Sequence, residues 1–135
     1  MLIVLISCVS KKLKVPTQAK DMYISPLFKG AYKYAKILNA DKIFILSAKY
    51  GLLDETTVIQ PYNETLNTKS EKEIKEWAMG VYRSLCKVSD IDLDKYVFLA
   101  GEKYRKYLVS YLHKIEIPLQ GLSIGKQLAF YKENT

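Results

Sequence analysis

The chain has 135 residues, of which 49% are hydrophobic and 26% are charged, and its formal net charge at pH 7 is +7. This composition is typical of one folded domain with a hydrophobic core and argues against intrinsic disorder. Two cysteines far apart in sequence and a single histidine argue against a disulfide framework and against a Cys/His zinc site. The apolar N-terminal run is too short to span a bilayer. We therefore expect a cytoplasmic domain over residues 1–135 with no metal, no cofactor and no membrane partner.

The first predicted element is a buried strand, LIVLIS at residues 2–7, because short continuous apolar runs are typical of parallel strands. A lysine-rich loop follows, in which hydroxyl, backbone N–H and ammonium groups can hold a phosphate. Cys8 is a candidate nucleophile, but no histidine lies near it in sequence, so a buried, inert thiol is the favoured interpretation. The binding candidates here are Ser7, Cys8, Ser10, Lys11 and Lys12.

Ser25 and Pro26 are typical of an N-cap followed by proline at the first helical position, so we expect a helix to begin there. Asp21 lies just before this helix and is a candidate catalytic carboxylate. Ser25 itself is interpreted as a cap and not as a ligand.

The second strand, residues 42–47, ends in the most informative stretch, SAKYGLLDETTVIQPYNETL. A tyrosine there can stack on a base or sugar, a lysine can hold phosphate or stabilise a developing negative charge, and a glycine permits a backbone conformation closed to other residues. The alternative is a structured surface loop with a proline turn. The candidates are Ser47, Lys49, Tyr50, Gly51 and Tyr62, with Lys49 also a catalytic candidate.

Ser70 and Glu73 fit a capping box, which predicts the start of a further helix. The third strand, residues 96–101, ends in Gly101, a ligand-binding candidate. Glu102 follows, and its carboxylate is a candidate for stabilising a sugar carbon in N-glycosidic chemistry. The alternative is an acid in the first helical turn that interacts favourably with the helix dipole.

An apolar stripe from Tyr104 to Leu112 predicts one continuous helix whose tyrosines belong to the core. A short fourth strand is expected at 114–119. The motif GLSIGKQL then lacks the spacing of a Walker A loop, and Gln127 stands where that loop has Ser or Thr. Gly125 and Lys126 are instead candidates for a glycine turn that accepts an anion at the start of a last helix.

Strands that alternate with helices predict an α/β fold, a compact three-layer αβα sandwich with a mainly parallel sheet of about four strands. Ligands bind beyond the carboxyl ends of the strands in such sheets. The polar and glycine-rich segments after the four strands should therefore meet at one edge.

The excess of positive charge is confined to the first part of the chain. Residues 1–53 hold nine lysines and two acidic residues, whereas residues 54–135 hold twelve basic and twelve acidic residues. This asymmetry favours either a surface that faces a polyanion or a solubilising lysine coat.

The stretches ISCVSKK, YISPLFKGAYKYA, ILSAKYGLL, IQPYNETL, FLAGEKYRKYL and PLQGLSIGKQL together resemble a domain family of bacteria and their phages related to the YaaA peroxide-stress proteins. The resemblance implies kinship with enzymes that act on nucleobases, including DNA glycosylase-like α/β domains. The glycine-aspartate-proline-tyrosine setting of uracil-DNA glycosylases is not found after the first strand. The remaining carboxylate candidates are Asp21, Glu55, Glu64 and Glu102.

Our first hypothesis is an enzyme that acts on an N-glycosidic bond of a nucleotide or nucleic acid. Tyr50 or Tyr62 would stack on the base, and Glu102 or Asp21 would stabilise the oxocarbenium-like sugar. The lysines that would hold phosphate are Lys11, Lys12 and Lys49. The alternatives are a non-catalytic module that binds or sequesters a nucleotide, and a DNA-binding stress protein that uses the lysine-rich face.

Overall fold

The computed structural model describes residues 1–135 and contains a five-stranded sheet with helices on both faces. Two short 3₁₀ turns, Leu66–Thr68 and Val109–Tyr111, complete the ordered elements. In chain order the strands and helices are β1 (Leu2–Ser7), β2 (Thr17–Gln18), α1 (Ala19–Met22), α2 (Pro26–Ile37), β3 (Lys42–Ser47), β4 (Gly51–Asp54), β5 (Val58–Ile59), α3 (Glu71–Val88), β6 (Lys95–Leu99), α4 (Glu102–Arg105), β7 (Lys114–Glu116) and α5 (Ile124–Asn134).

The sheet confirms the predicted α/β class and its mainly parallel character. The strand order is β4-β3-β1-β6-β7, and only the edge strand β4 runs antiparallel to its neighbour. From β1 the chain crosses to β3, its neighbour on one side. From β3 it then crosses back past β1 to β6, the neighbour of β1 on the other side. Because both crossovers are right-handed by rule, α2 and α3 cover opposite faces. Helix α5 packs on α2, and α4 packs on α3, which gives three layers.

The predicted strand and helix starts depend on simple local chemistry. Strands β1 and β3 match the predictions at both ends, because their apolar side chains are buried on both faces. The Ser25 hydroxyl accepts a hydrogen bond from the N–H of Phe28 and caps α2. Ser70 and Glu73 exchange both bonds of a capping box at the start of α3.

One strand of the sheet is not predicted by the sequence pattern. The segment after Ser47 has the pattern of a long loop, but Gly51–Asp54 returns as β4 and pairs with β3. Gly51 has φ +72, a conformation that a glycine adopts without strain, and this permits the tight reversal. The segment beyond it is also tied down, because β5 pairs with β2 in the lysine-rich region.

The continuous helix predicted over Tyr104–Leu112 is wrong. Helix α4 ends at Arg105, and the Ser110 hydroxyl donates to the carbonyl of Tyr107, the acceptor that the next helical turn would need. The N–H of Tyr111 bonds instead to Leu108, as in a 3₁₀ turn. The predicted core role of this segment is confirmed for Tyr104, Leu108 and Leu112, which are buried.

The last two strands are shorter than predicted: β6 ends at Leu99 and β7 covers only Lys114–Glu116. The two residues after β6 lie in a turn that leads to α4. None of the helices combines the length and hydrophobicity that a bilayer-crossing segment requires.

Gly30 marks the closest approach of α2 and α5, and replacing it should destabilise the fold. A Cβ at Gly30 would lie 2.8 Å from Cβ of Tyr131 and 2.9 Å from its ring. We expect Gly30→Ala to lower the free energy of unfolding by about 1–3 kcal/mol, because the two helices must separate. Urea denaturation measures this effect.

Gly80 provides the matched control, since it lies in α3 where an added Cβ would meet no atom within 4 Å. Gly80→Ala should raise the free energy of unfolding by about 0.5–1 kcal/mol, because alanine loses less backbone entropy in a helix. Equal effects of the two substitutions would contradict the close helix contact.

Candidate functional site

The carboxyl ends of β1 and β6 open onto a cavity of about 420 Å³, which we call the Glu102 groove. The groove brings together three predicted residues, Ser7, Gly101 and Glu102, and the N–H of Gly101 donates to the Ser7 hydroxyl at 3.3 Å. The Glu102 side chain is exposed and makes no hydrogen bond or ion pair with the protein. The other lining residues are Asn67, Glu71, Ile74, Lys103, Tyr104, Lys106 and Tyr107.

Two lysines line the Glu102 groove beside its two glutamates. Lys103 Nζ donates to the carbonyl of Asn67 at 3.4 Å, and Lys106 Nζ lies 3.9 Å from the Glu71 carboxylate. Both contacts are solvent-exposed, so they hold the ammonium groups only weakly. Either lysine can therefore turn to an anionic ligand without losing a strong internal partner.

A smaller cavity of about 230 Å³, the Cys8 pocket, adjoins this groove and shares Asn67 and Tyr104 with it. Three further predicted residues, Cys8, Ser10 and Lys12, line this pocket. Cys8 is only 8% exposed, and its thiol donates to the hydroxyl of Tyr104 at 3.4 Å. Burial raises the pKa of Tyr104 to about 12, so its hydroxyl stays protonated at neutral pH.

Lys12 links the Cys8 pocket to the aromatic core. Its ammonium lies 4.5 Å from the ring centre of Tyr62 and 5.8 Å from that of Tyr23, within cation–π range. Partial burial lowers the pKa of Lys12, and the nearby Cys8 thiol acts in the opposite direction. Lys11 is exposed and lines neither of these cavities, and its carbonyl accepts from the N–H of Ile24.

Ser47 and Tyr62 belong to a buried hydroxyl network and not to an open binding surface. Ser47 is 0% exposed, donates to the Tyr62 hydroxyl at 2.9 Å and accepts from the N–H groups of Lys49 and Tyr50. The Tyr62 hydroxyl also lies 2.6 Å from that of Tyr23. Burial raises the pKa of Tyr62 well above its usual value, and Cys8 and Tyr23 act in the same direction.

The burial of Tyr62 limits what it can do. Its side chain is 7% exposed and packs edge-to-face with Tyr23 and Tyr50. No ring face of the size that a base needs is open, so its geometry favours support of the strand end over base stacking. Tyr50 is half-buried, and its hydroxyl donates to the carbonyl of Gln60 at 3.4 Å.

Lys49 and Gly51 serve the turn between β3 and β4. The exposed Lys49 ammonium lies 5.4 Å from the ring centre of Tyr50, and Gly51 opens β4. Neither residue lines the Glu102 groove or the Cys8 pocket.

Asp21, Gly125 and Lys126 lie away from the Glu102 groove. Asp21 is exposed on α1 and lines a separate cavity of about 330 Å³ together with Lys20, Lys29 and Lys33, which we call the lysine groove. Gly125 and Lys126 are exposed in the first turn of α5, where the N–H of Lys126 donates to the Ser123 cap. The predicted edge therefore gathers the residues after β1 and β6 but not these three.

The structure adds functional candidates that the sequence pattern did not single out: Asn67, Arg105 and Lys106. The two basic residues lie three and four positions after Glu102, which makes each a neighbour of Glu102 along a helical turn, and this spacing was available in the sequence. No short sequence pattern marks Asn67 as a site residue, because its position depends on how the long segment between β5 and α3 folds. No group of three or more His, Cys, Asp or Glu side chains is arranged to hold a metal ion.

Two comparisons place the chain among known proteins. A family model described as a family of unknown function (DUF6884) matches residues 3–133. The chain is also 34% identical over 94 residues to the uncharacterized protein YfjM of Bacillus subtilis (strain 168). This similarity covers 69% of the chain but 61% of YfjM, so the chain spans less than two thirds of that relative.

Proposed function

Because the chain belongs to the DUF6884 family of unknown function, we propose its function from the geometry of the Glu102 groove: it is an enzyme that breaks an N-glycosidic bond of a nucleotide or nucleic acid. One observation carries the proposal. The Glu102 carboxylate has no hydrogen-bond or ion-pair partner in the protein and lies just beyond the carboxyl end of the interior parallel strand β6, beside two lysines. Kinship with YaaA-type and DNA glycosylase-like domains is part of the same proposal.

The chemistry assigns a role to each charged group. Positive charge builds on the sugar as the bond to the base breaks, and a nearby carboxylate stabilises that charge. Water then supplies a hydroxyl to the sugar carbon and a proton to the departing base. Lys103 and Lys106 would bind a phosphate of the substrate and fix the sugar against Glu102.

A combined binding and product assay tests this function. The protein is screened by thermal shift against nucleosides, nucleotides, NAD-type dinucleotides and short single- and double-stranded DNA, at low and moderate salt. Any ligand that raises the melting temperature is incubated with the protein, and the free base is quantified by chromatography. We expect a salt-tolerant shift together with base release. A shift without base release would contradict the enzyme and identify a binding module instead.

A second candidate function, binding to a polyanion such as DNA, is favoured by the lysine groove. Lys20, Lys29 and Lys33 line it, and none of them forms an ion pair with an acidic residue. These residues lie in the part of the chain that holds the entire excess of positive charge. Phosphate contacts of this kind give affinity with little sequence preference.

The double substitution Lys29→Gln and Lys33→Gln should weaken DNA binding and its dependence on salt. Each lost phosphate contact lowers the slope of log affinity against log salt by roughly 0.7–0.9, so we expect a decrease of about 1.5. Fluorescence anisotropy with a labelled oligonucleotide measures it. Lys72→Gln with Lys87→Gln, two exposed lysines of α3, controls for net charge, and an equal decrease there would contradict a defined lysine surface.

A further inference from the structure

A second cavity lies on the other side of Glu102 and contains an arginine without a partner. This cavity, the Arg105 pocket, has a volume of about 450 Å³ and lies between the end of β6 and the loop that leads into α5. Gly101 and Glu102 line both the Arg105 pocket and the Glu102 groove. The two spaces therefore meet at these two residues.

Arg105 is half-buried, and its guanidinium forms no ion pair with any acidic residue. Its Nε is fully buried and has no hydrogen-bond partner. It is the only buried side-chain nitrogen or oxygen of the protein in this condition. A buried donor without an acceptor destabilises the fold, and arginine is charged at every physiological pH. The two terminal nitrogens of the guanidinium also make no hydrogen bond within the protein but are not fully buried, so they are the donors that a group outside the chain can reach.

The walls of the pocket suit a ligand that brings oxygen atoms to the guanidinium. A Cβ added at Gly101 or Gly121 would meet no atom within 4 Å, so the backbone is open to a close approach at both positions. Tyr131 lines the pocket and is only 3% exposed. Its hydroxyl makes no hydrogen bond within the protein. Burial raises the pKa of Tyr131 and keeps its hydroxyl a neutral group.

We propose that the Arg105 pocket binds the phosphate group of a small molecule, with the Arg105 guanidinium as its principal ligand. The planar fork of arginine matches the oxygens of a phosphate in a bidentate contact. The pocket volume lies within the range of small-molecule sites and exceeds the space that a free phosphate ion fills, so the expected ligand is a phosphate monoester of nucleotide size.

This site does not depend on the proposed N-glycosidic activity, because it requires only the contact between Arg105 and the phosphate. If the protein binds nucleotides here without releasing a base, the Arg105 site is supported and the proposed enzymatic activity is contradicted.

The arginine content of the chain makes a direct spectroscopic test possible. Only Arg83 and Arg105 are present, so a ¹⁵N-correlated spectrum contains two Nε–H signals, and the Arg105→Met variant assigns them. The protein is titrated with inorganic phosphate, a nucleoside 5′-monophosphate and the matching nucleoside. We expect the monophosphate to shift the Arg105 signal, to leave the Arg83 signal in place and to bind at least tenfold more tightly than the nucleoside.

The inorganic phosphate titration separates the two sources of this chemistry. If inorganic phosphate binds more weakly than the monophosphate, the result supports a monoester ligand. If the two bind equally, it supports a site for free phosphate. An Arg105 signal that stays unmoved by both would overturn the proposal.

Variants give a second, independent measurement. Arg105→Met should reduce monophosphate affinity at least tenfold, and Arg105→Lys should retain part of it, because one ammonium replaces the fork. Arg83→Met, which removes an exposed arginine of α3, is the matched control and should leave the affinity unchanged. Equal affinities of Arg105→Met and the unmodified protein would overturn the site. If the methionine variant does not fold, the titration of the unmodified protein is the deciding measurement.

Discussion

Glu102→Gln is expected to lower the rate of base release by about 10²–10⁴-fold while ligand affinity changes less than about threefold. Glutamine keeps the size of the side chain and removes the negative charge, so it loses the group that would stabilise the positive sugar. Because the Glu102 side chain is exposed and makes no hydrogen bond or ion pair within the protein, the substitution should not disturb the fold. Single-turnover kinetics and thermal shift measure rate and binding separately.

Glu133→Gln is the matched control, since Glu133 is an exposed carboxylate without an ion pair near the end of α5. It should leave both the rate and the affinity unchanged. If Glu102→Gln releases the base at the rate of the unmodified protein, the proposed mechanism is wrong. Loss of binding and turnover together would assign Glu102 to ligand binding and not to the chemical step.

Ser47→Ala is expected to lower the free energy of unfolding by about 2–4 kcal/mol, more than its small loss of volume explains. The Ser47 hydroxyl accepts from two backbone N–H groups and donates to Tyr62, and the site is fully buried. Alanine removes one hydrogen-bond partner from each of the two backbone N–H groups and from the Tyr62 hydroxyl. Chemical denaturation monitored through Trp77, whose indole N–H donates to the Ser47 carbonyl, is a sensitive measurement.

A double-mutant cycle tests whether the effect comes from the network. Tyr62→Phe alone should cost about 1–2 kcal/mol, and the double variant should cost less than the sum, because the two hydroxyls share a bond. Ser84→Ala, at a serine whose hydroxyl bonds only to a carbonyl of its own helix, should change stability by less than about 0.5 kcal/mol. Strict additivity of Ser47→Ala and Tyr62→Phe would contradict the network.

The parts of the fold that the sequence predicted are those with local causes. A run of buried apolar residues specifies β1 and β3, and the pairs Ser25-Pro26 and Ser70-Glu73 specify where α2 and α3 begin. Strand β4 has no such signal, because it offers only two apolar residues, Leu52 and Leu53, after a turn with the composition of a loop. Its formation depends on pairing with β3, which supplies the hydrogen bonds that the short segment lacks alone.

The candidate site was only partly predictable for a related reason. The carboxyl-end rule for parallel strands correctly indicated that Ser7 and Gly101 would meet, although 94 positions separate them. The same rule gave no way to see that Tyr62 would be buried by Tyr23. The Arg105 pocket needs the loop before α5 to fold beside β6, a long-range contact with no short-range signature.

The position of β1 in the sheet has a consequence for synthesis of the protein. It precedes the other strands of the sheet in the chain, but one of its two neighbours, β6, begins only at Lys95. At roughly 5–20 residues per second, about 90 further residues take roughly 5–20 seconds to emerge from the ribosome. During that interval one edge of a strand that is apolar from Leu2 to Ile6 lacks its final partner, and an unpaired strand edge of this kind promotes misassembly of a nascent chain.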